Sequence, residues 1–189
     1  REHRAGDEGG DRGGDRDERD PGDVEHEYGA PRGVAVEHDL LARMRTDDFD
    51  QGSDGSMFLT ERLGGSDLGR TVQSVARDIG DGRVLITGEK WFCSNIDGEA
   101  IVLLAQPEGG VGGSAGIGLY LVPKHLEDGS RNSYKMRRLK PKLGTRSVPT
   151  GEVELEGALG YALRPQRDDG TRESSDAGGL NRMMEMVNG

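Results

Sequence analysis

The sequence predicts a mainly β protein, an antiparallel sandwich or barrel with a disordered N-terminal tail before it and the start of a helix after it. Three observations predict this class. Eight apolar or alternating runs of strand length crowd into residues 57–163. Turn residues separate the runs, with no long helical period between them. Outside that stretch the apolar content collapses.

Residues 1–39 use only Arg, Asp, Glu, Gly, His, Ala, Pro and Val apart from Tyr28, the only aromatic, and show neither helical nor strand period. They carry too little apolar surface to offset an ordering entropy of roughly 1–2 kcal/mol per residue, so disorder is expected. Apart from Tyr28, every residue here has a codon beginning with G or C, as expected of GC-rich message read out of frame. Residues 40–56 read as a linker.

The strand runs are 57–60, 71–78, 83–87, 91–94, 100–106, 117–123, 133–139 and 152–155. Asp81-Gly82 makes a hairpin turn between two of them, because both residues tolerate positive φ. Glu127-Asp128-Gly129-Ser130 makes a second turn. Residues 164–178 return to polar low-complexity sequence and read as a loop. Leu180, Met183, Met184 and Val187 then recur at helical spacing, the opening of an amphipathic helix of two to three turns, too short to stand alone, whose domain is expected to continue.

Composition excludes several functions. The 189 residues are 32% hydrophobic and 4% aromatic with 32 glycines, so one uniform fold is not expected. The net charge is -10, of which the tail supplies -7 from 13 acidic and 6 basic residues, so the acidity says little about what the folded part binds. The single Cys93 rules out an internal disulfide and a multi-Cys zinc site, and its apolar neighbours make it a packing residue. His3, His26, His38 and His125 lack metal-ligand spacing, so no metal is expected. No apolar run approaches the ~20 residues of a membrane span, and the chain reads as soluble and cytoplasmic.

Two glycine-rich segments bear on chemistry. Gly112-Gly113-Ser114-Ala115-Gly116 satisfies G-x-S-x-G, but a strand pattern follows it where a nucleophile elbow needs a helix, so it reads as a hairpin loop. Thr60-Glu61-Arg62-Leu63-Gly64-Gly65-Ser66-Asp67 follows a strand with hydroxyls and consecutive glycines, which suits a polar ring edge and a phosphate. On the residues alone, a plain Gly-Ser turn is the stronger reading of that loop.

The same loop resembles the T-E-x-x-x-G-S-D motif of the acyl-CoA dehydrogenase family. Thr87-Gly88-Glu89-Lys90-Trp91-Phe92-Cys93-Ser94-Asn95 resembles its G-x-K-x-[WF]-x-[ST]-N strand. Lys142-Leu143-Gly144-Thr145-Arg146-Ser147 is similar to the K-x-G-x-R-S segment that closes its middle β-domain. Lys90-Trp91-Phe92, residues 122–132 and residues 138–144 point within the family to the DNA-alkylation-response branch.

The resemblance implies a middle β-domain over 57–163 that holds FAD against a C-terminal helical domain. It implies oxidation of an acyl thioester to its 2,3-enoyl form, with a glutamate base taking the α-proton and flavin N5 the β-hydride. Leu59 and Thr60 would meet the pyrimidine edge, Gly65 and Ser66 the pyrophosphate, Phe92 the ring system and Ser94 the region of N5. Strand alternation would let only one of Trp91 and Phe92 face the flavin. Phe58 and Arg70 depart from the small residues usual in the family. No residue here matches the base, so no catalytic residue is assigned. The partners implied are an acyl-CoA-like thioester, an electron acceptor and further copies of the full-length chain, with no membrane. The isolated chain is expected neither to retain FAD nor to turn over.

The basic residues Lys135, Arg137, Arg138, Lys140, Lys142 and Arg146 are read as a solvated face, with CoA phosphates or nucleic acid less favoured. The alternative function is a non-catalytic β-sandwich module that contacts nucleic acid through that cluster.

Overall fold

The computed structural model describes residues 33–48, 50–165 and 175–188. Its elements in order are α1 (Gly33–Arg45), β1 (Gly55–Phe58), α2 (Leu68–Thr71), β2 (Val75–Gly80), β3 (Arg83–Ser94), β4 (Ala100–Pro107), α3 (Gly113–Gly116), β5 (Gly118–Pro123), β6 (Tyr134–Leu139), β7 (Thr150–Ala162) and α4 (Gly179–Asn188).

Five strands close on themselves. β4 pairs β2, β2 pairs β3, β3 pairs β7, β7 pairs β5, and β5 returns to β4. The expectation of an antiparallel sandwich or barrel resolves to a barrel, antiparallel except where β2 runs parallel to β4, which leaves no open edge among these five. β1 and β6 are added outside the ring, on β4 and β7. The β2–β3 hairpin turns at Asp81 and Gly82, with φ of 53° and 73°. The second expected turn also forms: the Leu126 N–H donates to the Ser130 carbonyl, and the Ser130 N–H donates to the Asp128 carboxylate.

Two apolar layers explain why the run Ala100 to Ala105 is continuous rather than alternating. Ile101, Leu103 and Ala105 enter the barrel with Phe58, Ile86, Tyr120, Val122 and Leu155. Ala100, Val102 and Leu104 face outward into a second cluster with Leu40, Val72, Leu119, Leu121 and Met183. A strand buried on both faces has no polar face to show in its sequence. Each fully buried Leu or Phe contributes roughly 1.5–3 kcal/mol.

That second layer moves one boundary and holds both terminal helices. The expected tail and linker meet at residue 39, yet α1 runs across it. Leu40 is buried, and Leu41 and Met44 lie partly buried on the same cluster, so the helix is held by tertiary packing that composition does not report. The rest of the expected tail, residues 1–32, lies outside the described residues. At the other end Leu180 and Met183 dock α4 against the barrel, and the Gly179 N–H donates to the Ile117 carbonyl at 2.7 Å.

Strand lengths differ as well. The runs 83–87 and 91–94 are one strand, β3, and the short run 152–155 lies in the first half of the 13-residue β7. β7 is buried along most of its length because β3 covers one edge while β6 and β5 share the other. The run 71–78 begins as the helical turn α2 and becomes strand only at Val75. Of the polar segment 164–178, the described ends are tied down: Arg164 pairs with Asp176, and the Tyr120 hydroxyl donates to Asp176 at 3.1 Å.

Candidate functional site

The 60–67 loop exists because β1 and β2 share one edge of β4 with a gap between them. β1 pairs as far as Phe58↔Leu103, and β2 resumes at Val75↔Gln106. Between these points the chain leaves the sheet, turns tightly with the Gly64 N–H donating to the Glu61 carbonyl at 3.0 Å, and passes through α2. Leu59 packs its side chain on the outer cluster, so only backbone is left there for a ligand edge. Thr60 lies against Gly65: a Cβ at 65 would sit 2.6 Å from the Thr60 Oγ1, so any larger residue would force the two apart. Gly65 and Ser66 stand exposed at the tip of the loop.

A buried ion pair fills the gap. Lys90 is fully buried, and its Nζ donates to Glu61 Oε1 and to the Leu104 carbonyl, each at 2.6 Å. Glu61 Oε1 also accepts from the Ser74 N–H at 3.2 Å and the Ser74 hydroxyl at 2.7 Å, while Oε2 accepts from the Gln73 N–H at 2.5 Å. Leu104 stands between the last β1 partner and the first β2 partner, where Lys90 reaches its carbonyl from β3. Burial pushes the Lys90 ammonium below its usual pKa, and the Glu61 carboxylate partly offsets this. In the sequence both residues stand in separate motifs, with no role assigned to either. The signal was present: Val84, Ile86 and Lys90 share one strand parity, so an inward lysine needed a buried partner.

β3 bulges next to this pair. Lys90 partners Val153 and Cys93 partners Gly151, so β3 spends one residue more than β7 over that step. Lys90 and Cys93 therefore both point inward, and neither Trp91 nor Phe92 takes a place in the core. This corrects the premise that strict alternation puts Trp91 and Phe92 on opposite faces. Phe92 is 55% exposed. The Lys140 ammonium lies 3.9 Å from the Trp91 ring centre and 4.5 Å from that of Phe92, with Arg62 at 4.8 Å from Trp91. Ser94, two residues beyond Phe92 and also exposed, meets Thr150 Oγ1 at 3.2 Å. A cleft of about 330 Å³ borders this face, lined by Lys140, Lys142, Arg146 and Thr150 among others.

The six sequence-predicted site residues thus fall into two halves. Thr60 and Gly65 touch in the loop; Phe92 and Ser94 share an outward face of β3; and the Trp91 N–H joins the halves by donating to the Thr60 carbonyl at 2.8 Å. The two departures are accommodated: Phe58 is enclosed in the barrel, and Arg70 points to solvent beside Asp67 at 3.6 Å. Ser114 of the G-x-S-x-G segment packs on Gly69, at the meeting of α3 and α2. Cys93 lies in the barrel core, and burial pushes its thiol up to about 12.

Most of the basic cluster is engaged by carboxylates. Lys135 pairs with Glu156, Arg137 with Glu89 and Glu154, and both Arg138 and Lys140 with Glu152. Lys142 and Arg146 bond within their own loop, Lys142 to the Val148 carbonyl and Arg146 to the Lys142 carbonyl. The carboxylate pairing of the first four suits a solvated, charge-balanced face. No helix among the described residues is long and apolar enough to cross a membrane.

The profile of the acyl-CoA dehydrogenase middle domain matches residues 56–158, more than half of the chain. The chain belongs to the acyl-CoA dehydrogenase family. Its middle domain is the barrel described above. The chain is 37% identical over 126 residues to AidB of Escherichia coli, covering 67% of this chain and 22% of that protein. It is 34% identical over 132 residues to acyl-CoA dehydrogenase family member 11 of Caenorhabditis elegans, covering 68% and 21%. Similarity to AidB agrees with the branch read from the motifs. The crystal structure of Caenorhabditis elegans ACDH-11 with C11-CoA superposes with a TM-score of 0.67 at 29% identity, covering 86% of this chain and 26% of that one. The chain spans about a fifth of the length of these curated relatives.

Proposed function

We propose that this acyl-CoA dehydrogenase domain supplies one wall of an FAD site in an enzyme that dehydrogenates an acyl thioester between its α and β carbons. The observation that carries the reading is the outward bulge at Trp91-Phe92, where Trp91 is bonded to the 60–67 loop, the next residue presents an exposed aromatic ring, and the exposed Ser94 hydroxyl follows on the same strand. The residues fit a flavin dinucleotide from one side. Phe92 offers a ring face, Ser94 and Thr60 offer hydroxyls, and the exposed Gly65-Ser66 backbone offers N–H groups to a phosphate. When bound, the flavin supplies hydride acceptance. This chain's residues orient it: Thr60 and Leu59 at the polar ring edge, Phe92 along the ring, Ser94 donating near the reactive nitrogen, and Gly65 and Ser66 at the pyrophosphate.

Phe92 is open on its solvent side, so the site is a wall rather than an enclosing pocket, and the rest of the enclosure comes from outside these residues. The α-proton goes to a base that no motif of this chain supplies. The 189-residue chain by itself does not hold FAD through purification and does not turn over. The complete protein works in the cytoplasm with an acyl-CoA-like thioester and an electron acceptor, as an assembly of several copies.

The test uses the longest protein the gene encodes. Purified from cells, it carries a flavin absorbance spectrum and reduces an acceptor dye with acyl-CoA. Gly65→Val, which drives a side chain into Thr60, and Phe92→Ala both lower the flavin content. A colourless full-length protein, or full flavin content in both variants, would refute the assignment.

A further inference from the structure

We propose that the buried Glu61–Lys90 pair is a positioning device that fixes the register between the 60–67 loop and the bulged end of β3, and so sets the two halves of the flavin wall against each other. This rests on the flavin reading above and concerns what holds that wall in shape. The pair joins elements that no described strand pairing joins. The loop lies outside the sheet, and β3 has passed the end of its β2 pairing at Val75↔Thr87.

The pair also sits one residue from the wall on both sides. Glu61 follows Thr60, Lys90 precedes Trp91, and the Trp91 N–H donates to the Thr60 carbonyl at 2.8 Å. Two clamps in successive positions fix both the separation and the rotation of the loop relative to the bulge. Glu61 fixes the far end of the excursion too, because its carboxylate accepts from Gln73 and Ser74, where the chain returns to the sheet.

Stability alone is a weak reason for such a pair. Desolvating two charges offsets much of their attraction, and apolar side chains of similar volume often stabilise a core as well or better. What the charges add is direction. Bonds of 2.6 Å from one ammonium to Glu61 and to the Leu104 carbonyl admit one register, whereas two apolar side chains admit several.

The test uses the 189-residue chain with FAD alone as ligand, comparing wild type with Glu61→Leu/Lys90→Met. Amide hydrogen exchange reads the loop, and quenching of Trp91 emission reads FAD. The double variant folds but melts below wild type, because the Leu104 carbonyl and the Gln73 and Ser74 N–H groups lose their partners, and exchange in residues 62–67 rises about tenfold more than exchange in β3 and β7. Its FAD affinity falls about tenfold. A merely structural pair would speed exchange throughout the barrel or nowhere. Unchanged loop exchange and unchanged affinity in the folded double variant would overturn the proposal.

Should the double variant fail to fold, Glu61→Gln takes its place, keeping volume and an acceptor but losing the charge. It is expected to loosen the loop about threefold or more, and unchanged exchange there would equally overturn the proposal. If wild type shows no saturable response to FAD, the flavin reading fails, while the exchange comparison still decides the positioning role.

Discussion

Replacing Lys90 alone with Met strands a buried carboxylate and separates the two clamps energetically. Losing one partner of a buried pair costs about 3–5 kcal/mol, because the remaining charge has lost both water and its counter-ion. Here Glu61 keeps its bonds from Gln73 and Ser74, which favours the lower part of that range. The Leu104 carbonyl, however, loses its lysine donor, a loss of about 1–3 kcal/mol for a buried acceptor left unmade. The two costs overlap, and about 4 kcal/mol is the expected total. With a urea dependence of about 2 kcal/mol per molar, the unfolding midpoint drops by about 2 M. Trp91 is the only tryptophan and adjoins the pair, so its emission during urea unfolding is a direct assay. Arg137→Met, which breaks half-exposed pairs with Glu89 and Glu154, is the control, with an expected loss of about 0–1 kcal/mol. A Lys90→Met midpoint no lower than that of Arg137→Met would refute the reasoning.

Asn132 is buried, donates to the Pro123 and Leu159 carbonyls and accepts from the Leu159 N–H, each at 2.8 Å; Asn132→Ala is expected to cost about 3 kcal/mol by urea unfolding. Stability should also fall at alkaline pH. Burial pushes Cys93, Tyr134 and Tyr161 up to about 12, and Tyr120 is raised further by burial and Asp176. These groups stay protonated in the fold while the unfolded chain ionises, so the stability they confer is present below about pH 9 and is lost as the pH rises towards 12. Lys90, shifted down, acts in the opposite sense up to about pH 10.5, so urea midpoints near pH 8 and pH 11 should differ in the direction set by the tyrosines and Cys93. Lys140→Met removes the ammonium from both aromatic rings, a loss of about 0.5–1 kcal/mol of cation–π attraction, and should alter Trp91 emission. Because a flavin lying on Phe92 has to displace that ammonium, FAD binding should tighten about two- to fivefold; weaker binding would place Lys140 among the groups that hold the cofactor.

Most strands were legible because turn chemistry such as Asp81-Gly82 and apolar runs such as Ala100 to Ala105 are local signals; their order in the barrel was not, because it depends on pairings distant in sequence. The helix α1 was not, because Leu40, Leu41 and Met44 have meaning only against a second layer that the sequence around them does not announce. The candidate site residues were named from motif spacing, but their arrangement depended on a bulge. Nothing in Lys90-Trp91-Phe92-Cys93 marks where the extra residue falls, since that is set by the partner register on β7 at Val153 and Gly151. Lys90 and Glu61 stood in two separate motifs, and their pairing follows from the gap between β1 and β2, a property of the closed barrel.

On the proposed function, the 60–67 loop and the outward face of Phe92 and Ser94 form one wall of a flavin site. The most direct measurement is a titration of the isotope-labelled chain with FAD followed by amide chemical shifts. Saturable shifts confined to residues 59–67 and 91–95 are the predicted result. Shifts centred on Lys142 and Arg146 with the loop and β3 unmoved, or no saturable shift at all, would contradict it.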